Sequence, residues 1–76
     1  MEMALSRLRP MEPAVVTRVE VPPELRKRLE DYGLVPGTQV ICRYRSPRQD
    51  VTALEFRGAT IALRTRDLQM IRVCVR

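Results

Sequence analysis

The segment Arg28–Val40, RLEDYGLVPGTQV, holds a helix ending, a tight turn and the start of a strand with almost no residues between them. Gly33 can adopt the left-handed backbone conformation that ends a helix, and Leu34 after it can fold back onto the last helical turn. Val35-Pro36-Gly37-Thr38 has proline second and glycine third, which is the type II β-turn pattern. The segment therefore predicts a Schellman-type helix end that leads through one turn into a strand.

The residues before this corner predict the only helix of the chain. Pro22-Pro23 cannot continue a strand, but proline suits the first helical turn, where its missing N–H is not needed. Glu24 follows, near the positive end of the helix dipole. An apolar stripe at helical spacing is then formed by Leu25, Leu29 and Tyr32. The other faces are polar and carry Arg26, Lys27, Arg28, Glu30 and Asp31.

Five further segments are typical of strands because they are rich in β-branched residues or alternate between apolar and polar residues. They are AVVTRVEV (14–21), TQVICRYRS (38–46), VTALEFRG (51–58), ATIALRT (59–65) and IRVCV (71–75). Arg57-Gly58, at the end of the third segment, is expected to turn the chain into the fourth. Before Pro13 no period is clear, although Leu5 and Leu8 could pack as an apolar lid.

The faces of the first two strands follow from alternation. In the first strand, strict alternation places Val15, Thr17, Val19 and Val21 on one face and leaves Val16 outside. A bulge that turns Val16 inward is the alternative. In the second strand, alternation places Val40, Cys42 and Tyr44 opposite Ile41, Arg43 and Arg45.

Five short strands with one short helix after the first strand predict an all-β fold. Strands of this length leave exposed edges unless the sheet curls and closes. The simplest architecture that closes it is a small SH3-like barrel with the helix at one end. Seventy-six residues correspond to a single domain, residues 1–76.

The composition, 45% hydrophobic and 30% charged, is that of a globular chain. Its net charge of +5 raises nucleic acid or an anionic membrane surface as a partner. However, the basic residues are scattered apart from Arg26-Lys27-Arg28, and one Phe, two Tyr and no Trp leave little to stack bases on. We therefore expect no nucleic acid partner, while a nucleic-acid-binding small β-barrel is kept as the alternative function.

The sequence lacks the residue sets of common catalytic and metal sites. It has no P-loop, no HExxH motif and no histidine at all. Cys42 and Cys74 belong to no CxxC motif, so we interpret them as small strand residues. We expect a protein that is not an enzyme and has no cofactor and no metal site within one chain; an ion shared between chains through either cysteine is left open.

No apolar run approaches the roughly 20 residues that cross a bilayer, and the N-terminus lacks a signal-peptide core. The default expectation is therefore a cytoplasmic protein.

Three motifs carry a resemblance to a known family: LSRLRP (5–10), RLEDYGLVPGT (28–38) and RGATIALR (57–64). Their order and spacing resemble the FeoA family from about Leu5 to Val75. One departure is Met11, since the family usually has glycine after the proline. Because methionine takes positive φ less readily than glycine, we expect the start of the first strand to be remodelled.

The resemblance implies a small SH3-like cytoplasmic accessory protein of bacterial ferrous iron uptake. Its implied partner is FeoB, the membrane iron permease whose cytoplasmic part is a GTPase, and it would reach the membrane only through FeoB. No catalysis and no cofactor are implied. The same domain also occurs behind a DNA-binding winged helix in metal-dependent repressors, but no such segment precedes it here, so a stand-alone module is expected.

The candidate partner-binding surface is the helix together with the corner that follows it. It comprises Arg26, Arg28, Leu34, Val35, Pro36 and Gly37. An arginine beside a small apolar patch is typical of an interface anchor, and Arg28 is furthest along the helix towards the corner. The alternative is that these residues form only a solvated helix face and a turn. The functional surface would then lie on the sheet around Arg43, Arg45 and Arg64.

Overall fold

One six-stranded antiparallel sheet and one α-helix form the fold in the computed structural model, which describes residues 1–75. The strands are β1 (Glu2–Ala4), β2 (Pro13–Val19), β3 (Gln39–Arg45), β4 (Val51–Phe56), β5 (Ala59–Arg64) and β6 (Ile71–Val75). The helix α1 spans Pro23–Tyr32, and two 3₁₀ helices span Leu5–Arg7 and Thr65–Met70. The strand order across the sheet is β1-β6-β2-β3-β4-β5.

The predicted fold class is correct in outline, since the domain is mostly β with one short helix, but two details are wrong. The described residues contain six strands rather than five, and the helix follows the second strand rather than the first. The missed strand is β1, which pairs with β6 from Glu2↔Cys74 to Ala4↔Arg72. Three residues are too few to show a period of two, so the sequence pattern could not reveal this strand.

A β-bulge decides which valines of β2 face the core. The register of β2 against β6 shifts between Val16 and Arg18, and Val16 is buried together with Ala14. Strict alternation was therefore wrong for Val16, and the bulge alternative is confirmed. Beyond the bulge, Val21 is again buried, as expected.

A second bulge reverses the faces of β3. Its register against β4 shifts between Cys42 and Tyr44, so Arg45, not Tyr44, takes the inward position opposite Thr52. Tyr44 is 58% exposed. The half-buried Arg45 donates from Nε to Thr52 Oγ1 at 3.2 Å and from Nη1 to Leu8 O at 3.1 Å. The placement of Tyr44 on the same face as Val40 and Cys42 is thus a wrong prediction, because an irregular register breaks the alternation on which it depended.

The core is formed by side chains from the sheet, the helix, the two 3₁₀ helices and the segments that join them. Both leucines proposed as an apolar lid, Leu5 and Leu8, are fully buried in it. The buried apolar residues are Leu5, Leu8, Ala14, Val16, Val21, Leu29, Leu34, Val40, Cys42, Leu54, Phe56, Leu68, Ile71 and Val73. Cys42 and the half-buried Cys74 are strand residues, as interpreted from the sequence.

Candidate protein contact surface

The helix ends as the sequence predicts. Gly33 has φ of 95°, and its N–H donates to Glu30 O at 3.0 Å. The N–H of Leu34 donates to Leu29 O at 2.8 Å, which completes the bond pair of a Schellman motif. Leu34 is fully buried, so its side chain closes the end of the helix against the core.

The turn after the helix is fixed at both ends. Thr38 N–H donates to Val35 O at 3.0 Å and Gly37 has φ of 94°, as a type II turn requires. The Thr38 hydroxyl donates to Gly33 O at 2.9 Å. Gly37 N–H donates to Val16 O at 2.7 Å, which holds the turn against β2. The corner is therefore a rigid joint between helix and sheet.

The β4–β5 hairpin closes over the same corner. Its two-residue turn has positive φ at Arg57 (53°) and Gly58 (81°). The Arg57 side chain lies against Gly33, so a Cβ at Gly33 would be only 2.5 Å from Arg57 Cδ. Two motifs that are far apart in the sequence thus contact each other, and no pattern within either motif signals this.

The structure brings only some of the predicted contact residues together. Arg26, Val35 and Pro36 line one shallow groove of about 60 Å³ beside the corner, together with Val19, Glu30 and Leu34. The expectation that Leu34 supplies apolar surface is wrong, because this residue is fully buried in the helix cap. Gly37 is exposed at the tip of the turn.

Arg28 lies on the other flank of the helix, not beside the corner as predicted. It lines a groove of about 240 Å³ between α1 and β5, with Leu25, Ala62, Leu63, Arg64 and Asp67. Residues 26 and 28 are separated by about 200° around a helix, so they cannot share a flank. Within residues 1–75 Arg28 has no carboxylate partner within salt-bridge distance.

Three arginines that are scattered in the sequence meet in a neighbouring open cleft of about 470 Å³. Arg48, Arg64 and Arg66 line it, together with Asp50 and Thr65. None of the three forms a salt bridge within the described part of the chain. No sequence pattern indicates this cluster, because the antiparallel pairing of β4 with β5 brings the distant segments together.

The salt bridges of the described residues lie elsewhere on the surface. Arg18 pairs with Glu2 at 2.6 Å and with Glu20 at 3.5 Å, and Arg43 pairs with Glu55 at 3.4 Å. The hydrogen bond from Arg18, and secondly one from the Thr17 hydroxyl at 2.7 Å, lower the pKa of Glu2 below its ordinary value. Such pairs hold strands together but leave the arginines around β5 uncompensated.

The groups that could hold a metal ion are dispersed. Across residues 1–75 no three His, Cys, Asp or Glu side chains are close enough to share one ion. Of the two thiols, Cys42 is buried in the core and Cys74 is partly accessible. No helix in this described range is long and apolar enough to span a membrane.

Comparisons with known proteins agree with the fold. The family model of the FeoA domain matches residues 3–75. The solution structure of FeoA protein from Chlorobium tepidum is 32% identical with a TM-score of 0.91, over 96% of this chain and 70% of that chain. Iron(II) transport protein A from Clostridium thermocellum is 37% identical with a TM-score of 0.91, over 96% of this chain and 45% of that chain.

Another solved structure is similar to this chain in fold, at an identity too low to indicate more than the fold. The crystal structure of T. acidophilum IdeR is 22% identical with a TM-score of 0.85, over 99% of this chain and 34% of that chain. Among curated protein sequences no significant match is found.

Proposed function

The chain belongs to the FeoA family, and from that membership we propose that it is a non-enzymatic cytoplasmic accessory protein of bacterial ferrous iron uptake. It acts by binding FeoB, the membrane iron permease with a cytoplasmic GTPase part, and it tunes the assembly or the nucleotide cycle of that partner. The observation that supports this proposal is the family match over residues 3–75, which covers the helix and every strand of the sheet except Glu2 at the start of β1.

The contact with FeoB is made by helix α1 and its two flanks. On one flank, the exposed Arg26 lies beside Val35 and Pro36. On the other, the exposed Arg28 lies beside the half-buried Leu25 and Leu63. Each flank therefore combines one guanidinium with a small apolar patch, the composition that is enriched at interface hot spots.

The substitution Arg28→Glu tests this surface. We expect FeoB to bind the variant about tenfold more weakly or worse, which corresponds to about 1.4 kcal/mol. The melting temperature should stay close to the parent value, because Arg28 has no ion pair to lose within residues 1–75. The measurement is a pull-down and a titration with full-length FeoB, beside a thermal melt of each variant.

Lys27→Glu is the matched control, since it makes the same charge change on the same helix at an exposed residue between the two flanks. Arg26→Glu tests the corner flank separately. If both arginine variants bind normally with a normal melt, the contact surface is elsewhere, and Arg43, Arg45 and Arg64 are tested next. If the unmodified chain does not bind FeoB, the proposed function is wrong.

We also predict that the isolated chain does not bind Fe(II) specifically. Fe(II) sites favour carboxylate and imidazole ligands, and this chain has no histidine. Calorimetric titration under reducing conditions should give no saturable heat. A stoichiometric site of micromolar affinity would contradict the prediction, whereas an ion shared between chains through Cys74 would not.

A further inference from the structure

The outer edge of β5 is open. Within residues 1–75, β5 is the end strand of the sheet and pairs with β4 alone. In the described range, no residue of β5 makes a backbone hydrogen bond outside that pairing. Its first five residues, Ala59–Leu63, carry no charge. Proteins usually protect an edge by charge, proline or shortness, as the three-residue β1 does at the opposite edge.

The geometry of the hairpin identifies which backbone groups face outwards. In a hairpin with a two-residue turn, the pair next to the turn exchanges hydrogen bonds, and bonded and non-bonded pairs then alternate. At the far end, Thr65 N–H donates to Asp50 O at 2.9 Å, which fits the same alternation. The N–H and C=O groups of Thr60, Ala62 and Arg64 therefore point away from β4 and are free to pair with another strand.

The groove beside this edge combines apolar and basic side chains. It is lined by the half-buried Leu25 and Leu63 and by the exposed Arg28 and Arg64. Arg64 also lines the neighbouring cleft, which adds two guanidinium groups. The four arginines are Arg28, Arg48, Arg64 and Arg66, and they face only two carboxylates, Asp50 and Asp67. The whole chain carries a net charge of +5.

We propose that an extended acidic segment of the partner protein adds to β5 as a further strand of the sheet. The free groups of Thr60, Ala62 and Arg64 supply the main-chain hydrogen bonds, and alternate carboxylates of the segment pair with the arginines. This inference rests on the proposed function and specifies the chemistry of its contact. A second copy of the chain is a poor occupant, because it would bring the same uncompensated positive charge to the edge.

Amide hydrogen exchange, measured by NMR on the full chain, tests the edge without any substitution. In the free protein, the amides of Thr60, Ala62 and Arg64 should exchange fast, while those of Ile61 and Leu63 should be protected by the ladder with β4. A synthetic peptide of alternating Glu and Val is then added, with an alternating Lys and Val peptide as the control. We expect the acidic peptide alone to slow exchange at the first three amides by about tenfold or more.

Two results of that experiment would overturn the inference. One is unchanged exchange at these amides when the acidic peptide is in large excess. The other is protection that exists without peptide and grows with protein concentration, because β5 would then be occupied by a second copy of the chain.

The substitution Ala62→Pro tests the same edge against full-length FeoB. Proline removes the outward N–H of Ala62 without removing a bond of the β4–β5 ladder, and proline is tolerated on edge strands. We expect binding to weaken about tenfold or more with a nearly unchanged circular dichroism spectrum. Ala62→Val keeps the N–H and should bind as the parent does.

The outcomes separate this inference from the proposed function. If folded Ala62→Pro binds FeoB normally, the β5 edge is not the contact, although FeoB remains the partner. If the unmodified chain fails to bind FeoB, the proposed function itself fails. If Ala62→Pro does not fold, the exchange experiment on the unmodified chain decides. A comparison of FeoB binding by Arg64→Glu and by Lys27→Glu tests whether the bound segment is acidic. If both variants bind FeoB equally well, the segment is not acidic.

Discussion

Two tight joints of this protein use the left-handed backbone conformation with different residues. At the corner after α1, Gly33 and Gly37 have φ of 95° and 94°. At the turn before β2, Met11 has φ of 70°, and its N–H donates to Cys42 O at 2.7 Å. We expected methionine to remodel this turn; instead, it adopts the positive φ. A non-glycine residue thus occupies the left-handed region where its N–H bonds to a neighbouring strand, although its Cβ disfavours that conformation.

The largest expected effect is at Gly33. Gly33→Val should destabilise the domain by about 2 kcal/mol or more, because a branched residue is strained at positive φ and its Cβ would meet Arg57 Cδ at 2.5 Å. Denaturant unfolding measures this. A variant as stable as the parent would show that the helix end does not require glycine. The corner after α1 and the turn before β2 would then not differ in the residue types they tolerate.

A smaller loss of stability is expected at Gly37. Its φ is almost the same as that of Gly33, but a Cβ added at Gly37 would have no other atom within 4 Å. Gly37→Val should cost about 1–2 kcal/mol, the backbone term alone. The difference from Gly33→Val then measures the Arg57 contact. Adding Arg57→Ala should restore part of the stability of Gly33→Val and none of Gly37→Val. Equal recovery in both backgrounds would disprove the specific contact.

At the turn before β2, a substitution is expected to increase the stability of the domain. Met11→Gly should stabilise the domain by about 0.5–1 kcal/mol, since glycine removes the strain but increases the entropy of the unfolded chain. The Met11 side chain is 57% exposed, so little packing is lost. Urea unfolding of parent and variant is the measurement. A loss of stability would mean that the side chain contributes more than its exposure indicates.

The smallest effect on stability is expected at β1. This strand contacts β2 through the surface ion pair between Glu2 and Arg18. The hydrogen bond from Arg18 and then that from Thr17 lower the pKa of Glu2 from its ordinary 4.5 in the folded chain. The pair therefore stabilises the fold fully above about pH 4.5, and this contribution is lost as pH falls through the lowered folded pKa. Glu2→Gln should be slightly less stable than the parent at neutral pH and equally stable in strong acid. A stability gap that persists unchanged in acid would contradict this assignment.

Features that depend on residues close together in the chain can be predicted from the sequence. The cap at Gly33 and the type II turn at Gly37 are each fixed by hydrogen bonds across a few residues and by the φ that glycine permits. The turn at Arg57-Gly58 joins two strands that are adjacent in the sequence, with positive φ at both residues. The helix Pro23–Tyr32 follows in the same way from its proline start and apolar stripe. Four of the predicted contact residues could be located for the same reason: Arg26, Val35, Pro36 and Gly37 lie on or beside these local elements.

Features that depend on pairing between distant segments cannot be predicted in this way and are seen only in the folded chain. β1 forms a strand because it pairs with the edge of β6. The bulges of β2 and β3 lie where the register shifts against the neighbouring strand, β6 and β4 respectively. The packing of distant elements also places Arg28 with β5 instead of the corner and gathers Arg48, Arg64 and Arg66 into one cleft. A period of two or 3.6 residues reports only which side of an element is apolar. It carries no information about which other element lies against that side, because that choice is made by packing between residues far apart in the chain.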